Sequence, residues 1–242
     1  MNAANQDLAT QKIKRSQQFF NKGSLFFYDF LLYGVISKYA WGSSIQRLDS
    51  HYEKYVGHNH LEVGVGTGFL LNRVEFDSAH PRLALMDLSR DCLEKTKLKV
   101  SRYAPEIYIQ NLLEPIQNKI DKFDSIGINY VMHCVPGSFK EKGVAFTHLQ
   151  PLLSENGVLF GTTLLSENIH KNLLAKPFMW LMNSLGVFNN RSDNARDLKE
   201  CLETNFQLIE FEVVGVTAFF AVKKGKELIE GRPPPHSCHS LP

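Results

Sequence analysis

The stretch 60–68 reads HLEVGVGTG. Gly64, Gly66 and Gly68 follow a short apolar run, and Glu62 stands two places before the first of them. Glycine weakens a strand or a helix, so three of them here imply that the backbone turns tightly and comes close to something. A second apolar run ends at Asp87, about 20 residues past Gly68, where a carboxylate on the neighbouring strand can hold both hydroxyls of a ribose. An adenosine-containing ligand is therefore expected. The dinucleotide fingerprint GxGxxG needs its third glycine where this chain has Phe69. GxGxG, with an acid inside the end of the strand, suits instead a ligand without pyrophosphate and with a charged amino group.

Further along, the segment FDSIGINYVMHCVPG offers Asn129, Tyr130 and His133. His133 has the residue type for a general base near neutral pH, and it reads equally well as a packing histidine. Cys134 reads as a small buried apolar residue rather than a nucleophile. Tyr28 and Trp41, in the N-terminal helical part, read from the residues alone as core packing. His58 and His60 flank the start of the first strand, away from its carboxyl end, and no role is expected of them. The four cysteines Cys92, Cys134, Cys201 and Cys238 form no CxxC pair, so neither a metal site nor a disulfide framework is suggested.

These residues need a frame. Short apolar runs at 60–64, 82–87, 106–110, 123–129 and 157–164 alternate with helix-like stretches, as βαβ units of a parallel sheet do. Ser89 can cap a helix whose inner face is Cys92, Leu93, Thr96, Val100 and Tyr103. Ser138 and Glu141 form a capping box opening a helix through Leu149, and Asn194 can cap a helix with Leu198, Cys201 and Leu202 inward. Two last strands, 207–214 and 217–223, are separated by a turn at Gly215 so short that only antiparallel pairing is open to them. The expected fold is α/β, a Rossmann-like doubly wound sheet of seven strands, mostly parallel, with an antiparallel C-terminal hairpin. One domain spans 19–225, with helices over 19–56 and a helical insertion at 166–193. Residues 1–18 read as a loose lead, and 226–242, with three consecutive prolines, as a disordered tail outside the fold.

ExGxGxG, then LMDLS, then the segment after strand four resemble the class I S-adenosylmethionine-dependent methyltransferases, over residues 25 to 223. The small-molecule, type 11/12-like group is the nearest match. The resemblance implies a helical N-terminal lid and methyl transfer from S-adenosylmethionine to a small acceptor, leaving S-adenosylhomocysteine. It implies that Gly64, Gly66 and Gly68 line the cofactor, that Glu62 organises their loop, and that Asp87 holds the ribose with Leu88 against the adenine. Asn111 stands where the family usually has Asp beside the adenine, followed by Leu112, and Asn129 closes the site. Tyr28 and Trp41 would reach the cofactor or acceptor from the lid.

The acceptor pocket is expected from 19–45, the loop after Asn129 and the insertion, with Phe178, Met179, Trp180 and Met182 as an apolar wall. That predicts a hydrophobic or aromatic acceptor. The chain has 242 residues, 43% hydrophobic and 21% charged, with a formal net charge of +2, which gives no argument for nucleic acid or a membrane surface. Asn129-Tyr130-Val131-Met132 lacks the prolines of base-modifying enzymes. The N-terminus has no apolar core of a secretory signal, and the longest apolar stretch is about a dozen residues where a span needs ~20. A cytoplasmic protein is expected. A cofactor-binding sensor without methyl transfer is the rival from another class. The acceptor atom and the oligomeric state are not encoded in any motif.

Overall fold

Strands that are apolar on both sides can be satisfied only between two layers of helix, and these segments are. On the strand Arg82–Asp87 (β2), Leu83 and Leu85 enter one core cluster while Ala84 and Met86 enter another, all of them buried. The computed structural model describes residue 37 and residues 39–225, apart from 79 and 118. Tyr28, the lead 1–18, most of the expected lid and the tail 226–242 lie outside the described residues.

The other strands are Asn59–Val63 (β1), Glu106–Ile109 (β3), Phe123–Asn129 (β4), Leu153–Leu164 (β5), Phe206–Val214 (β6) and Thr217–Lys224 (β7). They form one sheet in the order β3-β2-β1-β4-β5-β7-β6. The first five pair in parallel, and β7 runs antiparallel to both β5 and β6. The strand order reverses at β1, between β2 and β4, so the crevice at the carboxyl ends of β1 and β4 is the natural ligand site.

The helices are Ile45–Tyr55 (α1), Phe69–Arg73 (α2), Arg90–Lys99 (α3), Phe139–Lys142 (α4), Val144–Leu149 (α5), Ala175–Ser184 (α6) and Ala195–Asn205 (α7). Of the helices expected over 19–56, α1 falls within the described residues. Ser89 accepts from the Cys92 N–H and Asn194 from the Asp197 N–H, as the capping pattern predicts. Tyr103 lies past the end of α3, in a short 3-10 turn.

Two differences have local causes. The helix expected over 138–149 begins with its capping box but breaks at Gly143. There Cys201 of α7 packs so closely that a Cβ on Gly143 would stand 2.3 Å from its sulfur. Strand β5 starts at Leu153, four residues before the expected Gly157, because Leu153 pairs with Phe123 and carries polar Ser154 and Glu155 into the sheet.

In the insertion, Met179 and Met182 are buried against Trp41, while Trp180 is 68% exposed. The expected wall of Phe178, Met179, Trp180 and Met182 is therefore not a cavity wall. Helix α6 packs the face that carries Ala175, Met179 and Met182, while Trp180 lies on the exposed side with Lys176. No helix among the described residues is long and apolar enough to cross a membrane.

Candidate active site

Beyond the carboxyl ends of β1, β2 and β4 lies a cavity of about 220 Å³. Most residues singled out from the sequence line it: Trp41, Glu62, Gly64, Gly66, Asp87, Leu88, Asn111, Leu112, Asn129 and His133. Gly68 does not. It ends the loop in the left-handed region as the N-cap of α2, and a Cβ there would meet Thr96 of α3 at 2.8 Å. Its absent side chain serves helix packing.

The loop after β1 is held by its neighbours. Gly64 N–H donates to the Met86 carbonyl at 2.7 Å. Asp87 accepts from the Ser89 N–H at 2.8 Å and from the Gly66 N–H at 3.4 Å. Burial pushes its carboxyl up to about 6, against the pull of those N–H groups. Gly66 has φ +51°, and a Cβ built on it would meet nothing within 4 Å, so the loop is bare backbone facing open space.

Glu62 is buried beneath the loop. Its Oε2 accepts from Tyr52 Oη at 2.5 Å and lies 3.1 Å from His60 Nε2. His60 Nδ1 meets Ser125 Oγ at 2.8 Å. Gly127 on β4 leaves the room, since a Cβ there would stand 2.4 Å from that same oxygen. His60, expected to have no role, is thus fully buried and orients Glu62. Its signal was the period of two that puts residues 60 and 62 on one strand face.

Asn111 lines the cavity, but its side chain closes a turn: Oδ1 accepts from the Leu113 N–H and Nδ2 donates to Glu114. The expected contact to an adenine is left with one lone pair of Oδ1. Asn129 Oδ1 accepts from Thr162 Oγ1 at 3.3 Å, while its Nδ2 is buried without a partner. Tyr130 turns the chain in the left-handed region, φ +56°, which is rare for an aromatic residue. Its hydroxyl lies 2.9 Å from Ser43 Oγ, which lies 3.2 Å from Thr217 Oγ1.

His133 is buried in the wall, with its ring packed edge-on against Phe188 at 4.6 Å and Nδ1 unpartnered. Burial, aided by the charge of Lys142, lowers its pKa to about 3. The reason for choosing it as a general base, titration near neutrality, is therefore not met: the ring is neutral at working pH and a weak base. Burial likewise pushes the Cys134 thiol up to about 12, which suits the packing role expected of it. Trp41, nearly fully buried, packs edge-on against Phe178. Phe188 is the part of the insertion that reaches the cavity; in the sequence nothing sets it apart from the other apolar residues near it.

The donor set fits an adenosyl amino-acid cofactor. It offers a carboxylate for a diol, an open glycine backbone, an acid beneath it, and a buried amide N–H in need of an acceptor.

No protein-family model matches the chain. It is 35% identical over 212 residues to demethylluteothin O-methyltransferase of Streptomyces thioluteus, covering 86% of this chain and 92% of the relative. Methyltransferase verB of Penicillium polonicum is 34% identical over 225 residues, covering 86% of this chain and 98% of the relative. Among solved structures, the N-methyltransferase NodS of Bradyrhizobium japonicum with bound S-adenosyl-L-homocysteine shares the fold. It matches with a TM-score of 0.59 at 11% identity, over 89% of this chain and 99% of that one. The chain belongs to the class I S-adenosylmethionine-dependent methyltransferases that act on small molecules.

Proposed function

We propose that this enzyme methylates a hydroxyl oxygen on a small, largely apolar or aromatic acceptor. The observation that carries this reading is the division of the cavity. At the ends of β1 and β2 it is lined by the carboxylates of Glu62 and Asp87; elsewhere it is lined by the apolar Trp41, Leu164 and Phe188 and by the ring of His133. The names of relatives such as demethylluteothin O-methyltransferase agree with oxygen as the acceptor atom.

When bound, S-adenosylmethionine supplies an electrophilic methyl and its own leaving group, so the protein's task is alignment. In this reading Asp87 takes the two ribose hydroxyls, the backbone at Gly64 and Gly66 and the Glu62 carboxylate take the amino-acid end, and Asn129 Nδ2 donates to a cofactor oxygen. Leu88 and Leu112 flank the adenine, and Trp41 closes the cavity. His133, neutral at working pH, accepts through a ring nitrogen from the acceptor's hydroxyl. It orients the oxygen lone pair toward the methyl, takes the hydroxyl proton as the O–CH3 bond forms and the sulfonium C–S bond breaks, and gives it up to bulk water when the products leave. An apolar wall excludes water as a competing acceptor.

We read the enzyme as cytoplasmic, since Cys92, Cys134 and Cys201 are free thiols, as a reducing compartment keeps them. The small net charge argues against a nucleic-acid substrate. The test is a single-skeleton panel: 2-naphthol, 2-naphthylamine and 2-naphthalenethiol with S-adenosylmethionine. Methylation of the hydroxyl in preference to the other two is expected. Turnover confined to the amine, or to strongly charged acceptors in a wider panel, would overturn the reading.

A further inference from the structure

Three consecutive carbonyls in the cavity wall are held from outside their own loop. Asn189 donates its backbone N–H to the His133 carbonyl at 2.7 Å and its Nδ2 to the Cys134 carbonyl at 3.0 Å. Lys142 Nζ, at the end of α4, reaches the Val135 carbonyl and the Asn189 carbonyl, each at 3.4 Å. The same amine bonds Asp193 Oδ2 at 2.6 Å, and both side chains are 0% exposed. The Asp193 carbonyl in turn accepts the N–H groups of Ser166 and Glu167, just past β5. One buried ion pair therefore ties together α4, the loop carrying His133, the segment carrying Phe188 and the end of β5.

Stability is a poor reason for this arrangement. A buried ion pair is commonly matched or bettered by apolar residues of similar volume. This one is also imperfect, because Asp193 Oδ1 is buried without a partner. Burial drives both members toward their neutral forms, Lys142 downward and Asp193 up to about 6. What an amine does here that a methyl group cannot is donate to two carbonyls on different segments at once.

We propose that Lys142, with Asp193 and Asn189, is a positioning clamp for methyl transfer: it fixes the 133–135 backbone so that the His133 ring is held in the cavity wall against Phe188. The functional part rests on the reading that His133 meets the acceptor's hydroxyl. The geometric part does not.

Single changes at Lys142 or Asp193 leave one buried charge alone and can fail to fold. The decisive protein is the double variant Lys142→Met/Asp193→Leu, which removes both charges at similar volume. Three measurements are made on it: a thermal melt, calorimetric titration with S-adenosylhomocysteine, and NMR of ¹⁵N-histidine-labelled protein. Comparison with His133→Gln identifies the His133 ring signals. The expected result is a melt at or above wild type, product affinity within ~2-fold of wild type, and His133 signals that shift and broaden. Asn189→Ala, which removes only the Cys134 contact, should shift the same signals. With any hydroxyl acceptor the enzyme turns over, kcat of the double variant should fall at least ~10-fold while KM for S-adenosylmethionine stays put. A double variant that melts normally with His133 signals at wild-type positions overturns the clamp. So does one that does not fold, since the pair would then serve the fold itself. A failed acceptor panel sinks the hydroxyl reading and leaves the NMR result standing, so the two failures are distinguishable.

Discussion

Asp87 carries an ordinary role in an unusual electrostatic state. Burial holds its carboxyl at about 6, above the ordinary aspartate value of 3.8. A carboxyl raised in this way stabilises the fold when protonated, and that gain is lost as pH rises through about 6. Ribose hydroxyls donate to the ionised form, so ligand binding should pull the other way. S-adenosylhomocysteine should therefore raise the melting temperature more at pH 7.5 than at pH 5, and its Kd should weaken as pH falls below about 6. A binding constant flat across that range would mean that Asp87 does not meet the ligand as an anion. Asp87→Asn should weaken binding ~10–100-fold, since hydrogen bonds to a charged acceptor are worth about 1.5–3 kcal/mol. His133 makes the opposite case: with its pKa at about 3, its ring should contribute no ionisation to the pH–rate profile between pH 5 and 9. At this scale the sequence was readable wherever a residue type implied one chemistry, as with Asp87. It was not where burial decides the chemistry, as with His133, or where distance along a strand was mistaken for distance from the site, as with His60.

The loop between β1 and α2 shows how one glycine pattern serves two purposes. Gly66 opens toward the cavity, and Gly68 lets α2 and α3 approach. Gly66→Ala adds a methyl in open space and should cost about 1–2 kcal/mol for the left-handed backbone, with product binding weakened ~10-fold or more. Gly68→Ala drives its methyl into Thr96, so its main effect should be a larger fall in melting temperature. Adding Thr96→Ala should recover part of that fall. Melts with and without S-adenosylhomocysteine separate the two, and equal behaviour of both variants would show that the loop has a single role. Element boundaries were legible in proportion to apolar continuity. Strands β2 and β4 match their apolar runs end to end, whereas β5 begins at Leu153 and runs on through the polar Ser154-Glu155-Asn156, which no apolar run covers. For α6, Ala175, Phe178, Met179 and Met182 recur at helical spacing and form the packed face, which leaves Trp180 beside Lys176; residue type rather than position put Trp180 in the wall.

Across the whole molecule, the first and last described segments meet beside the cavity. The turn between β6 and β7 packs on the chain at Trp41 and Gly42: Val216 N–H donates to the Trp41 carbonyl at 3.0 Å, and Ser43 links Thr217 to Tyr130. No local pattern joins residue 41 to residue 215, so this closure was invisible in the sequence even though the hairpin was not. It makes Gly215 a remote determinant of the site. Gly215 has φ +60°, and a Cβ there would stand 2.3 Å from the Trp41 carbonyl oxygen. Gly215→Ala must then push Trp41 away, and Trp41 lines the cavity while residue 215 does not. The melting temperature should fall by several degrees, and S-adenosylhomocysteine should bind several-fold more weakly. Gly186→Ala is the matched control. Gly186 also lies in the left-handed region, φ +73°, but a Cβ there meets nothing within 4 Å, so the variant should lose stability and keep its binding. If calorimetric titration gives both variants the same affinity, the hairpin turn only closes the fold, and Trp41 is held in place by Phe178 and Phe188 instead.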